Sequence, residues 1–114
     1  MPASVDVSFR VLAPNDDLRT LCEQQVERLN RHFPDAQRYE VVLSNPHHHQ
    51  EHGHQVTVRI EAHVPGGNNL VTTHESHEQA EVAIREAFKT LHRQLETWRD
   101  KRALNVKRHS QPGL

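Results

Sequence analysis

SHEQAEVAIREAFKTLHRQLETWRDKRALNVKR, residues Ser76 to Arg108, is the one stretch long and periodic enough to set the architecture. Ala80, Ala83, Ile84, Ala87, Phe88, Leu91, Leu95 and Trp98 recur at three- and four-residue intervals, which places them on one stripe of an α-helix and leaves the opposite face polar. Ser76 followed three residues later by Gln79 matches a capping box, so the helix is expected to begin near Glu75 to His77. Its second half carries Lys89, Arg93, Arg99, Lys101 and Arg102, with Lys107 and Arg108 just beyond. This is the most basic part of the chain.

Working outward, 114 residues make one domain by size, large enough for a modest core. Apolar residues at 34% and aromatic residues at 4% mean that the core must rest on Val, Leu, Ile and Ala. No apolar run approaches the roughly 20 residues that span a bilayer, and the N-terminus lacks the basic-then-apolar pattern of a secretion signal. A cytoplasmic location with no membrane partner is expected. The single cysteine, Cys22, has no internal disulfide partner and falls on an apolar stripe, where a small buried hydrophobe is expected rather than a reactive thiol. The formal net charge of -1 conceals a split: residues 1–80 hold 6 Lys+Arg against 11 Asp+Glu, and residues 81–114 hold 8 against 4. A basic end on a near-neutral chain favours a polyanionic partner approached from one side, although cations also complement the negative end of a helix.

Ser4 to Val11 alternates, with Val5, Val7, Phe9 and Val11 on one side and Asp6, Ser8 and Arg10 on the other, as in a half-buried strand. Pro14 breaks it, and Asn15 or Asp16 caps a helix with apolar positions Leu18, Leu21, Cys22, Val26, Leu29 and Phe33, closed by Pro34. Tyr39 to Leu43 is a short strand. Gln55 to Val64 alternates again, Pro65 to Asn69 form a turn, and Leu70 to Glu75 return as the second strand of a hairpin. The order β-α-β-β-β-α favours a right-handed crossover between two parallel strands, followed by an antiparallel meander. Because each strand has one apolar face, both helices should cover the same side. The fold class is therefore α+β, a two-layer β-α-β-β-β-α sandwich with a four-stranded mixed sheet and both helices on one face. The domain is expected over residues 4–103, followed by a flexible basic tail over 104–114.

RYEVVL at Arg38 to Leu43, VTVRIEAHVPGGNNLVTTHE across the hairpin, and AIREAFKTLHRQLETWRDK at Ala83 to Lys101 resemble the ribosome hibernation promoting factors. These are also called ribosome-associated inhibitors or the sigma-54 modulation family. The resemblance runs from about Val5 to Arg102 and is most specific at Ala83, Ile84, Leu91, Arg93, Gln94, Leu95, Asp100 and Lys101. It implies a domain shaped like a double-stranded RNA-binding domain, and a factor that sits on the small ribosomal subunit and holds idle ribosomes inactive under stress. In that family basic residues of both helices lie against ribosomal RNA phosphates. Arg93 keeps the family's arginine and Lys101 its lysine, while Arg99 and Arg28 stand where lysine is usual. Gln25 and Glu96 also stand where lysine is often found, which implies a weaker salt dependence of RNA binding. The RNA-binding set expected from the resemblance and the charge split is Arg19, Arg28, Lys89, Arg93, Arg99, Lys101 and Arg102. Ending at Leu114, the chain is expected to be a short form without the extra C-terminal domain with which long members pair ribosomes.

SNPHHHQEHGH, Ser44 to His54, supplies a second candidate. His47, His48, His49, His52 and His54 could chelate a divalent metal, since neutral imidazole is its commonest ligand. Against this, the spacing matches no structural zinc pattern and no cysteine is near, so no cofactor is expected and metal there would be adventitious. Protonation of the same loop could instead add positive charge beside RNA. Asp16 with Asp17, and Glu75 with Glu78, are paired carboxylates at expected helix starts, where they complement the dipole. No nucleophile elbow, phosphate loop or HExxH motif is present, so neither an enzyme nor a small-molecule substrate is expected. Two functions remain: a ribosome-binding factor acting on ribosomal RNA, or a metal-binding or protein-interaction module using the histidine loop. A monomer is expected, although the exposed edge strand Leu70 to Glu75 leaves room for pairing.

Overall fold

The structure is a computed structural model that describes residues 3–45, 56–66, 69–76 and 79–109. Six elements follow in the expected order: β1 Ser4–Arg10, α1 Asp16–His32, β2 Arg38–Ser44, β3 Val56–His63, β4 Leu70–Ser76 and α2 Ala80–His109. The sheet order is β1-β2-β3-β4. β1 and β2 run parallel with Val7 opposite Val41, while β2–β3 and β3–β4 are antiparallel with Val41 opposite Ile60 and Ile60 opposite Thr72. Alternation along each strand thus lays a row from Val7 to Thr72 across the inner face, and all four residues are buried.

Both helices pack on that face. α2 contributes Ala83, Ile84, Ala87, Phe88, Leu91 and Leu95, and α1 contributes Cys22, Val26 and Leu29, with Phe33 at its C-terminal cap. Full burial of an Ile or Leu side chain is worth about 1.5–3 kcal/mol, so this cluster fixes the rotation of α2 about its axis. Asn15 caps α1: its side-chain oxygen accepts from the backbone N–H of Asp17 at 2.9 Å and Leu18 at 3.1 Å, and Asp16 and Asp17 fill the acidic first turn. Burial pushes the Cys22 thiol up to about 12 and the Tyr39 hydroxyl up to about 12, so both remain neutral parts of the core.

Three local expectations change. Ser76 is the last residue of β4, opposite Val56, and the first turn of α2 closes from Ala83 N–H onto the Gln79 carbonyl at 3.3 Å. A residue held in a strand ladder cannot cap a helix that starts at Ala80, so Ser76–Gln79 is no capping box, and Glu75 belongs to β4 rather than to a helix start. Val11 leaves the alternation: its φ of 53° turns the chain out of the strand and exposes its side chain. Finally, α2 continues to His109, past the expected end at Ala103.

Urea denaturation tests this core. Leu91→Ala, at a fully buried position, should lose about 2–5 kcal/mol of unfolding free energy, and Asn15→Ala about 1 kcal/mol through the lost cap. A loss below about 1 kcal/mol at Leu91 would show that α2 does not pack as described.

Candidate nucleic-acid interface

The core sets the site. With one stripe of α2 committed to the sheet, the flank toward α1 carries Arg85, Lys89 and Arg93 at four-residue spacing, about 6 Å apart along the axis. Arg28 and His32 of α1 face the same groove, whose floor includes Leu29 and Phe88 and whose far end holds His92 and Glu96. His92 Nδ1 lies 2.8 Å from Glu96 Oε1; a carboxylate only accepts, so Nδ1 carries the hydrogen of this bond. The His92 ring packs edge-to-face on Phe33 at 5.1 Å and on His32 at 5.6 Å.

The remaining cations divide by what they already touch. Arg19 donates to the Val7 carbonyl at 3.0 Å and lies over the Phe9 ring at 5.3 Å, which ties α1 to the edge strand β1. Arg99 lies over Phe33 at 4.9 Å and reaches the His32 carbonyl at the end of α1. Arg102 pairs with Asp35 at 3.1 Å and lies over Trp98. Lys101 sits on the other flank of α2 with Trp98 and Val71, where Gln94 donates to the Val71 carbonyl at 3.2 Å and fastens the helix to the edge strand β4. Of the seven residues expected to meet RNA, the structure thus brings Arg28, Lys89 and Arg93 together, engages Arg19, Arg99 and Arg102 in internal contacts, and places Lys101 outside the groove in a second depression that Arg93 also borders. Arg85 is not in the expected set, yet its spacing from Lys89 and Arg93 is the signal that places it in the groove.

Among the described residues, Arg28, Arg85, Lys89 and Arg93 enter no ion pair. Charges on the outer sheet face, by contrast, are compensated. Asp6, Glu40 and Glu61 lie in one cross-strand row, where like charges repel. Arg38 bonds Glu40 at 2.9 Å and approaches Asp6 at 3.6 Å, Arg59 approaches Glu61 at 3.8 Å, and Asn69 donates to Glu61 at 3.0 Å. Glu40, Glu61 and His63 bring potential ligand atoms within 4.8 Å of one another. Both carboxylates are already engaged, and a cation there would have to displace these partners. His47, His48, His49, His52 and His54 lie outside the described residues.

A model of the sigma 54 modulation protein / S30EA ribosomal protein family matches residues 5–103. Among solved structures, a ribosomal subunit interface protein from Coxiella burnetii superimposes with a TM-score of 0.73 at 13% identity, covering 85% of this chain and 98% of that one. The N-terminal domain of Protein Y from Thermus thermophilus superimposes with a TM-score of 0.68 at 25% identity, covering 86% of this chain and 99% of that one. The first likeness speaks for the fold alone. No curated relative matches the chain in sequence.

The division of cations has a measurable consequence for stability. Lys89→Ala and Arg93→Ala should change the unfolding free energy by less than about 0.5 kcal/mol, whereas Arg19→Ala removes a part-buried hydrogen bond and a cation–π contact and should cost about 1–2 kcal/mol. Equal losses at all three positions would make the groove cations structural.

Proposed function

This chain belongs to the sigma 54 modulation protein / S30EA ribosomal protein family, and on that premise we propose that it is a ribosome-associated hibernation factor. It binds the small ribosomal subunit in the cytoplasm under stress and restrains translation there, without catalysis of its own. The groove between α1 and α2 is the binding surface, and its partner is the phosphate backbone of ribosomal RNA. One observation carries this reading: four cations that enter no ion pair among the described residues, Arg28, Arg85, Lys89 and Arg93, gather in a single groove. An arginine already paired must give up its partner to meet a phosphate, whereas an unpaired one gives up only water and released counterions drive the contact. Lys101 extends the basic surface along the other flank of α2.

The Coxiella protein that shares this fold is called a ribosomal subunit interface protein, and RNA phosphate is the polyanion a ribosomal surface offers. The near-zero net charge of this chain, -1, is no obstacle, because phosphate contact depends on the local field of the groove rather than on the sum over the molecule. Glu96 at the groove's end lowers that field and keeps the number of contacts small.

Co-sedimentation of the purified chain with small ribosomal subunits across a salt series tests the proposal. About four phosphate contacts should give a slope of about -3 in log affinity against log salt. Lys89→Glu/Arg93→Glu should abolish binding at moderate salt. Salt-insensitive binding, binding unaffected by the double reversal, or no binding at low salt would each overturn it.

A further inference from the structure

A track built only for phosphates would be cationic along its length, and this groove is not. Its floor is closed by Leu29 and Phe88, which are buried except for a few per cent of their surface, so a ligand meets mainly the side chains of the rim. Its far end changes chemistry within about 10 Å of Arg85, the rise from residue 85 to residue 92 along a helix. There His32 and His92 stand with ring planes 75° apart and centroids 5.6 Å apart, forming an open corner. Phe33 backs His92 at 5.1 Å from within the core, and Glu96 holds its Nδ1, so the ring is fixed by a wall on one side and a hydrogen bond on another. It nonetheless remains 40% exposed.

A fixed, half-exposed aromatic surface beside uncompensated cations is what an unstacked nucleobase and its phosphate need: π-faces for the base, charge for the backbone. Glu96 agrees with that occupant, since its carboxylate repels phosphate but accepts hydrogen bonds from a base amino group.

We propose that the α1–α2 groove binds an unpaired nucleotide of RNA, with the base in the His32–His92 corner and the flanking phosphates on Arg85, Lys89 and Arg28. This inference rests on the RNA-binding reading above and adds to it a base subsite. The groove thereby favours single-stranded or bulged RNA over a regular duplex, whose bases are stacked away from any side chain. His92 is the platform, and Glu96 is the positioning residue that orients it.

The test compares binding of a short, fluorescently labelled single-stranded RNA of mixed sequence with an abasic oligomer of the same length and charge, using the full chain and His92→Ala, His92→Phe and Lys89→Glu variants. The wild type should bind the RNA more tightly than the abasic oligomer by about five- to a hundredfold, the worth of one stacked base. His92→Ala should bind both oligomers with the affinity the wild type has for the abasic one, and His92→Phe should restore the preference, since it keeps a π-face. Lys89→Glu should weaken both oligomers alike. Equal binding of both oligomers by the wild type, or an RNA preference that survives in His92→Ala, would overturn the base subsite while leaving the phosphate reading intact. Failure of the wild type to bind either oligomer at low salt would overturn both.

Discussion

A helix that must bury Ala83, Ile84, Ala87, Leu91 and Leu95 against a sheet has only its flanks left for function. That burial is the constraint on which the rest of this molecule depends. Each of the larger side chains contributes about 1.5–3 kcal/mol, whereas an exposed ion pair contributes about 0–1 kcal/mol. The core therefore decides the rotation of α2, and the charges follow. Once the stripe is pinned, four-residue spacing carries Arg85, Lys89 and Arg93 to the flank that meets α1, and the parallel β1–β2 pairing brings α1 alongside to close the groove.

The electrostatics then follow a division of labour. Arg19, Arg38, Arg59, Arg99 and Arg102 are spent on the fold: they tie helices to strands, hold apart a row of carboxylates, or close the end of α1. Among the described residues the groove cations have no such duty. A protein with a net charge of -1 can in this way present a concentrated positive surface, because Asp6, Glu40 and Glu61 lie on the outer sheet face with partners of their own and Glu96 is the one carboxylate lining the groove among the described residues. The aromatic corner at the groove's end shares an anchor with the core, since Phe33 supports His92 on one side and receives Arg99 on the other.

Much of the fold is legible in the sequence, because alternation and helical spacing report burial directly: Val56, Val58, Ile60 and Ala62 are all buried, as their alternation requires. The failures share a cause. Ser76 satisfies a local capping rule, but the β3–β4 ladder extends far enough to claim it, and tertiary pairing overrides local propensity. Val11 continues an alternation that the chain abandons by turning. The site is harder to read than the fold because sequence shows where charges are but not which are paired. Arg102 and Asp35 are 67 residues apart, and Arg19 reaches back twelve residues to Val7; neither contact leaves a mark in composition or spacing. Arg85 is legible in principle, and it is missed when attention rests on the densely basic end of the helix.

The most direct test of the central claim, that the uncommitted cations of the α1–α2 groove are the surface presented to the ribosome, is lysine footprinting. The chain has three lysines, Lys89, Lys101 and Lys107, and Lys89 alone lines the groove among the described ones. Acetylation rates at each would be measured for the free protein and for the protein bound to small ribosomal subunits. The account predicts strong protection of Lys89 on binding. Lys89 reacting as fast in the complex as in the free chain would contradict it, and would place the ribosome on another face of the molecule.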